Sequence, residues 1–379
     1  MGQPVSLILS LSLQQPQLVR CDLNPPNIKL DPDGRYWNPM SATSQRPGAI
    51  RRFVLASRPV GLPKESDFKL VEAPLPAPQP EQVLVKTVYL SVDPYMRGRI
   101  TGVRTYADPV LVGDVMVGGT VGQVIESRDP SLQPGDYVVG YWGWQDLAVA
   151  PAVGLQKLNP QLAPVSTALG VLGMPGMTAY FGFLEICHPK AGETVVVSGA
   201  AGAVGSLVGQ IARIKDCRVI GIAGADDKIK YIVNDLGFDG AFNYKTTNNY
   251  VGSLKELCPK GIDCYFDNVG GAISDAVFAL LNPFARVSVC GQISQYNLHA
   301  PEPGPRLLGQ ILVRQLKVEG FIVTRFQERW REGIAQMAQW IKEGRIQYHE
   351  DIVEGFEKTP RAFIDMLEGK NTGKMLVKA

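Results

Sequence analysis

The chain has 379 residues, 45% of them hydrophobic and 20% charged, which is enough to bury the cores of two domains and too apolar for a disordered protein. Lys plus Arg number 38 against 36 for Asp plus Glu, so no global field draws the molecule to nucleic acid or to a membrane surface. Its six cysteines include no C-x-x-C pair and its three histidines no H-x-x-x-H, so neither zinc spacing nor a disulfide framework is present and a reduced, cytoplasmic setting is expected.

In chain order, residues 1–39 stand apart. "VSLILSLSL" is apolar but too short to span a bilayer, has no positive charge before it, and leads into the Pro- and Asp-rich "NPPNIKLDPDGRYWNP". It reads as a disordered leader outside the fold rather than as a signal peptide, with Met40 as a natural start. From Arg51 to Asn159 short β-rich runs ("RFVLAS", "QVLVKTVYLSV", "VGGTVGQVIES", "DYVVGYWGWQDLAVA") are punctuated by Gly and Pro at the spacing of a small barrel or sandwich. Tyr141, Trp142 and Trp144 in the last of these either line a pocket or pack at a strand edge. Met174-Pro175-Gly176-Met177 starts a helix and marks the passage between domains.

Beyond Thr167 the rhythm changes. "TVVVSG", "RVIGIAG", "GAFNY", "GIDCYFDNVGG", "RVSVCGQIS" and "LKVEGFIV" alternate with helical segments such as "DDKIKYIVNDLG", and strands apolar on both faces predict an α/β fold with a parallel sheet covered by helices. Trp330, Ile334, Met337 and Ile341 recur at helical spacing and should face a core. The tail "AFIDMLEGKNTGKMLVKA" predicts a short helix and a closing strand.

In "VVVSGAAGAVGSLVGQIARI", Ala200 to Gly205 fill the G-x-G-x-x-G frame with Ala in first place, between a strand and a helix. Gly202 would let the backbone approach a pyrophosphate, Gly205 would let the helix pack on the sheet, and the helix N-terminus offers free N–H groups to an anion. Any tight strand-to-helix turn needs glycine, so neighbouring residues must carry the argument. The next strand ends in Gly224 without the acid that accepts from an NAD ribose, and Lys228 follows, so NADP(H) is the expected cofactor unless Lys228 is simply a surface lysine. Tyr244 follows the third strand, where its hydroxyl could join the phosphate or the adenine. Asn268, Gly291 and Tyr296 fall at the C-terminal ends of two later strands, where an open parallel sheet holds its ligand. Cys290 is expected to be a small buried residue rather than a nucleophile, having no histidine near it in sequence.

Zinc alcohol dehydrogenases pair such a β-rich domain with a Rossmann domain and hold zinc through Cys and His of the first. Here residues 51–159 contain neither. Hydride addition to an isolated ketone then lacks a Lewis acid for the developing alkoxide, whereas addition to the β-carbon of an enone gives an enolate that one hydrogen-bond donor can stabilise.

From Arg51 to Ala379 the chain resembles the zinc-free medium-chain dehydrogenase/reductases of the leukotriene/prostaglandin reductase and alkenal double-bond reductase family. "LSVDPYMRGR", "GMPGMTAY", "GAAGAVGSLVGQIA", "GFDGAFNYKT", "DCYFDNVGG", "CGQISQYN", "IQYHEDIVEGFE" and "FIDMLEGKNTGKMLVK" carry the resemblance, in order. It implies a GroES-like catalytic domain over residues 40–168, a doubly wound Rossmann NADP-binding domain over 169–334, and a segment over 335–379 returning to the first. By position it places Gly202, Ala203, Val204 and Gly205 at the pyrophosphate, Lys228 and Tyr244 at the adenosine phosphate, and Asn268 near the cofactor. Cys290, Gly291, Ile293, Ser294 and Tyr296 with Phe321, Ile322 and Val323 fall along the nicotinamide half, and Asn371 closes over it. Tyr296 and Tyr95 are similar to the family's substrate-side tyrosines, and a homodimer joined through the cofactor domains is implied. The implied reaction is NADPH-dependent reduction of the double bond of an α,β-unsaturated aldehyde or ketone. Hydride goes to the β-carbon while the Tyr296 hydroxyl and the ribose 2′-OH hold the carbonyl oxygen, and whether Tyr296 or solvent gives the proton stays open. A quinone reductase on the same scaffold and a non-catalytic NADPH-binding protein are the alternatives, and no metal, membrane or nucleic acid partner is expected.

Overall fold

The computed structural model describes residues 48–379 and, before them, two short paired strands, β1 (Lys29–Leu30) and β2 (Tyr36–Trp37). The rest of the expected leader, with Met40, lies outside the described residues. The two strands pair antiparallel, with Lys29 opposite Trp37 and Leu30 opposite Tyr36 in register.

The β-rich half begins with β3 (Ala49–Leu55) paired antiparallel to β4 (Phe68–Pro74). Then come β5 (Gln82–Ser91), the one-turn helix α1 (Tyr95–Arg99), β6 (Thr120–Ser127), β7 (Tyr137–Gly140), β8 (Leu147–Pro151) and β9 (Gln156–Leu158). Helix α2 (Met174–Cys187) starts with a proline in its first turn and leads into the second half.

There β10 (Thr194–Ser198), α3 (Gly205–Ile214), β11 (Arg218–Ala223), α4 (Asp226–Lys230), β12 (Gly240–Asn243), α5 (Tyr250–Leu257), β13 (Ile262–Asp267), α6 (Gly271–Phe278), β14 (Leu281–Val289), α7 (Leu308–Arg314) and β15 (Lys317–Gly320) alternate. The strands are parallel in the order β12-β11-β10-β13-β14-β15, which is the doubly wound dinucleotide-binding arrangement. Valines of β10 show why: Val195 and Val197 enter the core on one face and Val196 the core on the other, so the strand is apolar on both sides. The segment expected to be helical from Asp226 onward is helical to Asp235, with α4 passing directly into a wide π-type turn over Tyr231–Asp235.

Helix α8 (Trp330–Lys342) buries Met337 and Trp340 and packs Trp330, Ile334 and Ile341 against the same core. Strand β16 (Glu350–Glu354), helix α9 (Thr359–Leu367) and strand β17 (Lys374–Lys378) then return to the first half, where β17 pairs antiparallel with β5. Trp144 is fully buried there against Phe68 and against Phe363 of α9, with ring centroids 5.3 and 5.8 Å away. Strand β5 ends, and α1 begins, facing the C-terminal edge of the parallel sheet, and the tail crosses between the two halves.

Candidate active site

The turn after β10 makes the cradle. A Cβ on Gly205 would lie 2.3 Å from the Gly199 carbonyl oxygen and 2.9 Å from Ala200 Cα, so only glycine lets α3 start this close to the sheet. Gly202 is different, since its Cβ would meet only the Gly199 oxygen, at 3.3 Å; glycine there keeps the surface low instead of relieving a clash. Gly202, Ala203, Val204 and Gly205 line one long cleft of about 570 Å³ between the two halves of the molecule.

At the β11 end of that cleft, Gly224 has a reason beyond the one sequence suggested. Its missing side chain makes room for the ring of Tyr244, whose Cε1 lies 2.8 Å from where a Cβ would stand. Lys228 donates from Nζ to the Gly369 carbonyl at 2.6 Å, and burial lowers its ammonium from the ordinary lysine value against the opposing pull of Asp227. Lys245 holds its ammonium 6.0 Å over the Tyr244 ring. Two ammonium groups and a phenol at one end of the cleft are the donors a phosphate monoester needs. Lys245 follows Tyr244 directly in the sequence but carries no spacing signal of its own.

The middle and far end rest on Asp267. Its Oδ1 accepts from the Tyr265 hydroxyl at 2.9 Å, the Ser198 hydroxyl at 3.1 Å and the N–H groups of Val269 and Gly270 at 3.0 and 2.9 Å, and Oδ2 accepts from Ser274 at 2.6 Å. A buried carboxylate so satisfied fixes the turn that begins at Asn268, whose amide donates to the Ser198 carbonyl at 2.7 Å. The Asp267 carbonyl takes the N–H groups of Cys290 and Gly291 at 2.9 and 3.1 Å. Burial, helped by Asp267, pushes the Cys290 thiol up to about 12, so it carries almost no thiolate at neutral pH.

Ile293, Ser294 and Tyr296 follow on the loop after β14, and all three line the cleft. The Tyr296 oxygen accepts from the Gln292 N–H at 3.3 Å, and burial raises the phenol above the usual tyrosine value while that hydrogen bond opposes. Phe321 and Val323 reach the cleft from largely core positions, Phe321 filling the space left by Gly182, whereas Ile322 is 42% exposed. From the opposite wall come Tyr95, on α1, and Tyr106, 57% exposed on the loop after it. Burial and the charge of Asp93 hold the Tyr95 phenol well above its ordinary value. Asn371 donates to the Gly373 carbonyl at 2.8 Å, and the Gly373 N–H donates to Ala201 at 2.8 Å, so the tail lies directly on the cradle.

All the site residues expected from sequence therefore line one cleft. Tyr106, Lys245 and the buried Lys374 were missed; Lys374 had a signal in the apolar run "GKMLVK", where a lysine is out of place. So was Arg97, buried on α1, which donates from Nε to Asn297 Oδ1 at 2.9 Å and so ties α1 to the residue after Tyr296. The aromatic cluster goes elsewhere: Trp144 is core, Trp142 donates to Thr87 Oγ1 at 2.8 Å and Tyr141 is 71% exposed, with none lining the cleft.

Two family models match the chain, "N-terminal domain of oxidoreductase" over residues 51–158 and "Zinc-binding dehydrogenase" over residues 203–340. Among the described residues no group of three or more His, Cys, Asp or Glu is placed to hold a metal ion, so the side chains present do not fit the zinc of the second description. The chain is 47% identical over 323 residues to prostaglandin reductase 1 of Rattus norvegicus, covering 84% of this chain and 96% of that protein. It is 46% identical over 333 residues to the NADPH-dependent curcumin reductase of Escherichia coli, covering 86% and 96%. The crystal structure of CurA in complex with NADPH from Vibrio vulnificus superposes with a TM-score of 0.83 at 46% identity, over 87% of this chain and 99% of that one. The chain belongs to the zinc-free medium-chain dehydrogenase/reductases, the family of these reductases.

Proposed function

We propose that the protein is an NADPH-dependent reductase of the carbon–carbon double bond of α,β-unsaturated aldehydes and ketones. The observation that carries this reading is one continuous cleft with two ammonium groups at one end, a glycine cradle in the middle and three tyrosines at the other end, in a molecule where, among the described residues, no three His, Cys, Asp or Glu are grouped to hold a metal ion. The names of the curcumin and prostaglandin reductases support it. When bound, NADPH supplies a hydride to the substrate.

The chain's own residues do the rest. The cradle and the start of α3 take the pyrophosphate, and Lys228, Lys245 and Tyr244 take the 2′-phosphate. Asn268, Cys290 to Ser294, Phe321 to Val323 and Asn371 enclose the nicotinamide half. Tyr95, Tyr106 and Met174 give the substrate an apolar wall that excludes water. Tyr296 donates its hydroxyl hydrogen to the substrate carbonyl oxygen. Because burial raises its phenol, Tyr296 is protonated at neutral pH and can make that hydrogen bond, and the enolate is then protonated at its α-carbon. Assembly as a homodimer through the cofactor domains is supported by β15, an edge strand, beside α7, whose Leu308, Leu312 and Val313 are 79, 77 and 79% exposed.

Parallel assays with an enal, an enone and a quinone test the reading. Turnover of the first two with NADPH, well above the quinone, is expected; quinone turnover alone would assign the other chemistry to this scaffold, and tight NADPH binding with no turnover would mark a binding protein. In the same assay Lys228→Ala should weaken NADPH roughly ten- to a hundredfold more than NADH, the scale of one charge-assisted hydrogen bond. Equal weakening of both would make Lys228 a brace for Gly369 only.

A further inference from the structure

The turn from Val92 to Arg97 carries Tyr95 into the cleft, and both of its ends are tied to distant parts of the chain. Arg97 holds Asn297 at one end. At the other stands Lys374, on β17 and 4% exposed. Its ammonium donates to the carbonyls of Val92 and Met375 at 2.9 and 2.6 Å and lies 3.4 Å from Asp93 Oδ1. Asp93 is itself buried and accepts the Ser91 hydroxyl through Oδ2. The residue before Lys374 is Gly373, whose N–H reaches Ala201 in the cradle. The register of β16 against β17 sets Glu350 beside Lys374.

A salt bridge buried this deeply adds little net stability, because desolvation of the two charges offsets their attraction, and an apolar pair of similar volume would hold the fold as well. An ammonium with all its donors directed at fixed acceptors supplies geometry instead. The acceptors matter for their place: Val92 and Asp93 lead directly into Tyr95, while the lysine's own backbone continues from Gly373, which lies on the cradle just before β17 begins.

We propose that Lys374 is a positioning residue of the reaction site: by binding Val92 and Asp93 while its neighbour Gly373 binds Ala201, it sets the separation between the tyrosine wall and the cofactor cradle. The inference rests on the reductase reading of the cleft.

The test uses the full-length enzyme with Lys374→Met, and with Lys374→Met combined with Asp93→Asn so that no buried carboxylate is left unpaired should the single variant fold poorly. In the cofactor-free protein, amide exchange should rise together at Met96, whose N–H binds the Asp93 carbonyl, and at Gly373. With saturating NADPH and an enone, kcat should fall roughly ten- to a hundredfold with KM changed less than about threefold, the scale for reacting groups misplaced by about an ångström. The isotope effect from 4-deuterated NADPH should grow at the same time, as hydride transfer becomes slower. Unchanged exchange at Met96, or an unchanged kcat and isotope effect in a variant that only melts earlier, would overturn the proposal. A wild-type enzyme that binds NADPH but reduces no enone would overturn the reductase reading instead, and the exchange measurement would then decide the positioning role alone.

Discussion

Gly205→Ala is expected to cut NADPH affinity about ten- to a hundredfold and to lower the melting temperature, because the added methyl costs about 1–3 kcal/mol of overpacking in a place that cannot yield cheaply. The atoms it meets are backbone, the Gly199 oxygen at 2.3 Å and Ala200 Cα at 2.9 Å, and both belong to the cradle. Relief requires α3 to move off β10, which carries the helix N-terminus away from the anion. Gly202→Ala is the informative partner. Its methyl meets one oxygen at 3.3 Å, so the fold should melt nearly as the wild type does while affinity falls if the proposed pyrophosphate approaches the backbone there. Differential scanning fluorimetry and titration of NADPH fluorescence separate the two. A Gly205→Ala protein with wild-type melting and affinity would show that the cradle does not depend on this close approach.

Tyr296→Phe should lower kcat by roughly ten- to a thousandfold, the span for losing one donor to a developing oxyanion, with NADPH affinity unchanged. The fold should tolerate it, because the hydroxyl accepts only one backbone N–H, from Gln292 in an exposed stretch where water can replace it. The pH profile adds a second check. Burial raises the phenol, so its deprotonation lies above the ordinary value of about 10 and kcat should show no alkaline decline from this group below that pH. Full activity in Tyr296→Phe would remove the residue from the mechanism.

How much could be read from the amino acids alone depends on how local each feature is. The valines of β10 announce a strand buried on both faces because every side chain is apolar, and the glycines after it announce a tight turn because only they allow one. The crossing of the tail was legible only in outline: β17 looks like a strand, but its pairing with β5 joins residues nearly 300 positions apart and leaves no periodic signal. In sequence Gly224 shows only that the acid of an NAD site is missing, whereas in the structure the space its side chain would fill is taken by Tyr244, a contact between neighbouring strands that no spacing rule specifies. Tyr106 sits in a Gly- and Pro-bounded loop where nothing distinguishes a cleft-lining tyrosine from a solvated one. Asp93 is ordinary in sequence and Lys374 shows only as a lysine in an apolar run, and the two become meaningful as a pair only when β17 is laid against the end of β5.

The central claim, that a metal-free site moves hydride to a conjugated carbon, is tested most directly by where the label goes when 4-deuterated NADPH is consumed with an enone. The product should be the saturated ketone with one deuterium on the former β-carbon, and saturated ketones offered as substrates should not be consumed. An allylic alcohol deuterated at the former carbonyl carbon would contradict the account.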